Sequence, residues 1–140
     1  MTNAQKITKA LGVFLKDGYT DSVYVFETLR KHGMFEREYF DTQYYFHDFY
    51  LSFTYYKNDL SSMALYTDRY SSHCPMICFE RDGNIIVGKA MDGLNIYNGC
   101  APSAQDMEII GLDLSTFQYL VEIRKTVMPI LANLSQRYLS

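Results

Sequence analysis

The sequence predicts an α+β fold: N-terminal helices, an antiparallel β-meander sheet, and a long C-terminal helix packed on the sheet. Three observations carry this. Apolar residues recur at helical spacing at both ends of the chain. In the middle they alternate with period two. Between the later strands stand two Asp-Gly pairs, Asp82-Gly83 and Asp92-Gly93. The expected organisation is one domain over residues 1–140, because a chain of this length buries roughly two thirds of its unfolded surface without staples.

The first helix is expected over 3–16, where Ile7, Ala10, Leu11 and Phe14 share one stripe. Thr2 or Asn3 suits its start, and Gly18 is placed to stop it. A second helix follows in "TDSVYVFETLRKHG", from Thr20 or Asp21 to Gly33. Its last turn holds Arg30, Lys31 and His32, where the helix dipole favours cations. The cluster Val23-Tyr24-Val25-Phe26 also suits a strand, and residues 34–43 have no clear period.

From Asp48 the period becomes two. Phe49, Leu51, Phe53 and Tyr55 face one way; Tyr50, Ser52, Thr54 and Tyr56 face the other. That is a half-buried antiparallel strand with a core face and a polar-aromatic face. Asn58-Asp59 supplies a turn, "SMALYT" suits the returning strand and also a short helix, and 75–80, 84–90 and 93–98 read as three short strands. "MEIIGL" reads as a last short strand, so the sheet is expected over about 44–112.

The C-terminal helix opens on Ser115-x-x-Gln118, which fits a capping box, with Leu114 and Tyr119 placed as a hydrophobic staple. Phe117, Leu120, Val121, Val127, Met128, Leu131 and Leu134 form its apolar stripe. Pro129 interrupts the hydrogen-bond ladder and predicts a kink near 125–129.

Composition bounds function. A net charge of −3 argues against duplex DNA as a partner, since such binding rests on neutralising phosphates. No uninterrupted apolar run opens the chain or approaches the ~18 residues of a membrane span. A cytoplasmic protein without membrane contact is expected. Three cysteines fit reduced thiols. His73, Cys74, Cys78 and Cys100, with His47, offer zinc-type ligands, but there is no C-x2-C or H-x3-H pair and two closely spaced pairs are the usual signature, so no metal is expected. The phosphate-binding loop, the dinucleotide fingerprint and G-x-S-x-G are absent. The carboxylates Glu36, Glu38 and Asp41 read as solvated surface. No cofactor and no enzyme activity are expected.

Two binding readings remain. A tyrosine-bearing sheet face can stack unpaired bases. A meander followed by a long helix, joined through Gly111-Leu112-Asp113-Leu114, resembles one class of single-stranded-DNA-binding domain over less than half the chain. The basic strands of such a binder are missing, for Arg81 and Lys89 are the only basic residues between 76 and 110. Against this stand thirteen Tyr, nine Phe and seven Met, residue types that gather in protein interfaces. The expectation is therefore a non-enzymatic interaction protein, of inhibitor or accessory-factor type, that grips a protein partner or a second copy of itself. Single-stranded nucleic acid is the alternative. The stretch "YYFHDFYLSFTYY" holds the candidate contacts: Tyr44, Tyr50 and Tyr56.

Overall fold

In the computed structural model, which describes residues 3–33, 38–46, 49–57, 59–68, 74–89, 93–98 and 100–139, the chain begins with a single rod. Helix α1 runs from Asn3 to Lys31 without a break, about 43 Å long at the usual rise. Both predicted N-terminal helices are thus helical, and they join through Gly18. One glycine weakens a helix by about 1 kcal/mol relative to alanine but does not end it. Apolar contacts on both sides outweigh that cost: Ile7, Leu11 and Phe14 before it, and Phe26 with Val25 and Leu29 after it, pack on one core.

Six strands follow: β1 (Tyr39–Tyr45), β2 (Tyr50–Tyr56), β3 (Asp59–Tyr66), β4 (Pro75–Glu80), β5 (Asn84–Lys89) and β6 (Gly93–Asn98). They form a pure antiparallel meander in the order β1-β2-β3-β4-β5-β6. The β4–β5 hairpin closes as the sequence suggests. Asp82 Oδ1 accepts the Asn84 N–H at 3.0 Å, and Gly83 takes a φ of 99°, which only glycine adopts without strain. One bulge shifts the β2–β3 register between Thr54 and Tyr55. Ser61 is the extra residue, and its hydroxyl donates to the Thr54 carbonyl at 3.0 Å.

The sheet ends at Asn98, so "MEIIGL" is not its last strand. Those residues belong instead to a short helix, α2 (Ala104–Ile109), and the turn after it. Ser103 wins this segment for the helix by accepting the Asp106 N–H at 3.2 Å, and Met107 and Ile110 are then buried together. Helix α3 spans Leu114–Leu139 with Pro129 inside it. Its cap lies two residues before the expected one. Asp113 accepts the Thr116 N–H and hydroxyl, each at 2.8 Å, and these bonds hold its carboxyl below its ordinary pKa. Leu114 is consequently exposed and makes no staple.

All three helices sit on one face of the sheet. Helix α1 covers its first strands, with Phe14 against Tyr44 and Phe53, and Phe26 edge-on to Tyr55. Helix α3 covers the middle, with Phe117 stacked on Phe79 and the Arg124 guanidinium 5.9 Å from the same ring. Helix α2 lies by β5 and β6. Helices α1 and α3 also run side by side, with Gly12 of α1 facing the Tyr119 hydroxyl of α3. The core is continuous from Leu11 and Phe26 through Phe53, Met63, Ile77 and Phe79 to Leu120, Ile123 and Leu131.

Candidate protein-interaction surface

Among the described residues all three helices lie on one side of the sheet, and none covers the other. Strand register fixes what that side carries. One row runs Tyr45, Tyr50, Tyr66, Met76, Gly88, Leu94 across all six strands. The next runs Gln43, Ser52, Ala64, Cys78, Ile86, Ile96. A third, Asp41, Thr54, Ser62, then Glu80, is polar, and Tyr39 and Tyr56 pair beyond it.

The rings in these rows are ordered against one another. Tyr50 stacks on Tyr66 with centroids 4.7 Å apart and planes within 8°, and Tyr45 tilts over Tyr50 at 5.4 Å. Tyr39 and Tyr56 pair at 4.7 Å, and the Lys57 ammonium stands 5.3 Å over the Tyr56 ring. Behind the tyrosines, Ala64, Met76 and Cys78 form a small second apolar cluster, separate from the core, with Tyr66 and Ile86 leaning on it. Gly88 belongs to this face for a steric reason. A Cβ there would stand 2.4 Å from the Gly93 carbonyl oxygen, so only glycine lets the Leu94 segment cross so closely. Leu94 and Ile96, at 46% and 66% exposed, finish the apolar band at the β6 edge.

The strands bring only carboxylates to this face, and Lys57, just past β2, adds an ammonium over the Tyr56 ring at its corner. The only basic residue in the six strands is Lys89, whose place in the alternation is opposite to that of Gly88. The carboxylates Asp41 and Glu80 lie on the uncovered side.

Two of the three tyrosines expected at a binding surface stand here: Tyr50, half-buried in its stack, and Tyr56, exposed. Tyr44 does not join them. It is 8% exposed on the helix-covered face, its ring 4.9 Å from Phe14 and 5.8 Å from Phe53. Its neighbour Tyr45 takes the surface place, because β1 pairs so that Tyr44 faces inward with Leu51. What remains of Tyr44 lines a cleft of about 400 Å³ between α1 and β1, beside Val13, Tyr24 and Tyr45. Sequence reasoning missed Tyr45, Tyr66, Met76, Leu94 and Ile96. The alternation in "DLSSMALY" held the signal for Tyr66, but the bulge at Ser61 obscured it.

The cysteines do not converge with other ligands among the described residues, where no three His, Cys, Asp or Glu residues gather. Cys74 and Cys78 are buried and Cys100 is exposed. His47 and His73 lie outside the described residues, as do Glu36, Asp48 and Asn58. A buried carboxylate, Asp106, accepts from the Asn95 side chain at 3.1 Å and from the Tyr97 hydroxyl, which ties α2 to β6. No helix among the described residues is long and apolar enough to cross a membrane.

Burial pushes the Cys78 thiol up from 9.0 to about 11, and burial, then Tyr66, pushes the Tyr50 phenol from 10.0 to about 12. Both groups are acids whose neutral form the fold prefers. Their contribution is complete below their unfolded pKa values and is lost as pH rises through the folded ones. The urea midpoint should therefore hold to about pH 9 and then fall between pH 9 and 12. In Cys78→Ala the onset of that fall should move upward, toward tyrosine ionisation. A midpoint flat to pH 11 would contradict the burial of both groups.

No protein family, curated protein or solved structure matches the chain.

Proposed function

We propose that this is a non-enzymatic binding protein, of inhibitor or accessory-factor type, that docks a protein partner on the uncovered face of its sheet. The observation that carries the reading is the double row of Tyr45, Tyr50, Tyr66, Met76, Ile86, Leu94 and Ile96 on the side opposite the helices. An antiparallel sheet with one solvated face normally keeps that face polar. Six strands of about six residues give a face of roughly 24 by 20 Å, or about 500 Å². Part of that face is the polar row; its exposed apolar groups are Tyr45, Leu94 and Ile96, with Tyr50, Tyr66 and Ile86 half-buried between them.

The chemistry of the face also describes its partner. Tyrosine and methionine are enriched in interface cores, and tyrosine gives large contact area at low entropic cost. The Asp41 and Glu80 carboxylates beside the apolar rows favour a partner whose apolar surface is bordered by lysine or arginine. Single-stranded nucleic acid is the weaker reading for the same reason. Its phosphates need cations alongside the stacking rings, and here the rings are spent partly on one another.

The test uses a double variant, Tyr45→Ser with Ile96→Asp, at two exposed positions about one sheet-width apart. It should keep the native unfolding transition. In a quantitative pull-down it should lose a specific protein that the unaltered chain retains, with affinity weakened about thirtyfold or more once that protein is purified, as loss of hot-spot contacts does. Sedimentation of the unaltered chain identifies the case in which the partner is a second copy. Retention of an oligonucleotide with a steep salt dependence, abolished by the same variant, would install the nucleic-acid reading instead. An identical set of captured proteins for both forms would end the proposal.

A further inference from the structure

A second surface, on the helix side of the molecule, has a different character. A cleft of about 330 Å³ lies where α3 meets the start of β3 and the β4–β5 turn. Leu60, Val121, Met128 and Ala132 line it with apolar groups. Arg81, Arg124 and Lys125 stand around these. On a chain whose net charge is −3, three cations converge on one apolar hollow. We infer that this cleft is a docking groove for an acidic amphipathic peptide segment of a partner protein. One bulky apolar side chain would enter the hollow, and flanking carboxylates would meet Arg81, Arg124 and Lys125.

Each part of the groove suits that ligand. Arg124 is held in place, donating through Nη2 to the Glu80 carbonyl at 2.5 Å with its guanidinium over Phe79. That bond uses one of five guanidinium donors. Arg81 and Lys125 stand 4.0 Å from Asp59 and 3.7 Å from Glu122, in pairs whose side chains are well exposed. Such pairs contribute little and exchange readily for an incoming carboxylate. Met128 adapts to side chains of varied shape. Pro129, also in the lining, has no N–H to give the Lys125 carbonyl. The hollow is shallow, with Arg81, Lys125 and Pro129 exposed and Val121, Met128 and Ala132 only half-buried. A ligand here stays partly in water. That favours a side chain anchored from a polar peptide over a wholly apolar tail.

The groove is separate from the tyrosine face, and the inference does not depend on that reading. The experiment is an NMR titration of the full chain with an amphipathic helical peptide of about a dozen residues, leucine on one face and glutamate on the other. Resonances of Val121, Met128 and Ala132 should move, and the affinity should fall as salt rises. The Arg81→Glu/Lys125→Glu variant changes two exposed side chains and should keep a folded spectrum while binding at least tenfold more weakly. A matched peptide with lysine in place of glutamate should leave these resonances still. Equal binding of the lysine peptide, shifts confined to Tyr45 and Ile96, or no shifts at millimolar peptide would each overturn the inference. Saturation of the same residues by sodium octanoate, as tightly as by the peptide, would overturn it in favour of a small amphipathic carboxylate.

Discussion

Leu120→Ala and Leu131→Ala should each lower the unfolding free energy by about 2–5 kcal/mol, the range for a buried leucine whose surroundings close only partly around the space. Both side chains are fully buried. They lie three turns apart on α3, which packs against both β3 and α1, so a shift of the helix to close either space would disturb both contacts. Alanine is the best helix former, so the substitution carries no propensity penalty and the loss measures packing alone. The control is Leu114→Ala at the first position of α3. That side chain is 61% exposed, and its loss should stay within about 0.5 kcal/mol. Urea denaturation with the slope fitted freely is the measurement. Losses below about 1 kcal/mol at both buried positions would mean that α3 is not seated on the sheet.

The helix could be trusted at the level of sequence because its stripe repeats over about five turns, and one misplaced residue does not erase it. Its start was less legible. Asp113-x-x-Thr116 and Ser115-x-x-Gln118 both resemble caps, and the choice between them falls to backbone geometry at Gly111 and Leu112. Strand β2 was readable for a similar reason, since its alternation from Phe49 to Tyr55 is unbroken. Strand β1 was not. Its buried positions are Phe40, Thr42 and Tyr44, and a polar threonine in the middle of an inward row defeats a count of apolar residues. Gly18 misled in the opposite direction, because a glycine reads as a stop locally while tertiary contacts on both sides carry the helix through it. "MEIIGL" was lost to its own composition. Four of its residues favour burial, and the sequence does not say whether burial is achieved by a strand or by one turn of helix.

The same limit governs the candidate surface. Composition announced that tyrosines were in excess, but parity decides which of them reach solvent, and parity needs the register of β1. Tyr44 and Tyr45 are adjacent in β1 and therefore point to opposite faces, which yields the second large effect. Tyr44→Ala should cost about 3–5 kcal/mol, as truncation of a buried aromatic does, because its ring fills the space between Phe14 and Phe53. Tyr45→Ala should cost less than about 1 kcal/mol, since its ring is 59% exposed and leans on the edge of the Tyr50–Tyr66 stack. The order reverses for association. Tyr45→Ala should weaken partner binding, while Tyr44→Phe, which keeps the packing, should leave it unchanged. A shift of one residue in the pairing of β1 with β2 would exchange the two side chains, burying Tyr45 and freeing Tyr44. The pair of stabilities is therefore a direct measurement of register. If Tyr45→Ala unfolds the protein and Tyr44→Ala does not, β1 is paired one residue away from Tyr39↔Tyr56, and the aromatic row on the uncovered face loses its first member.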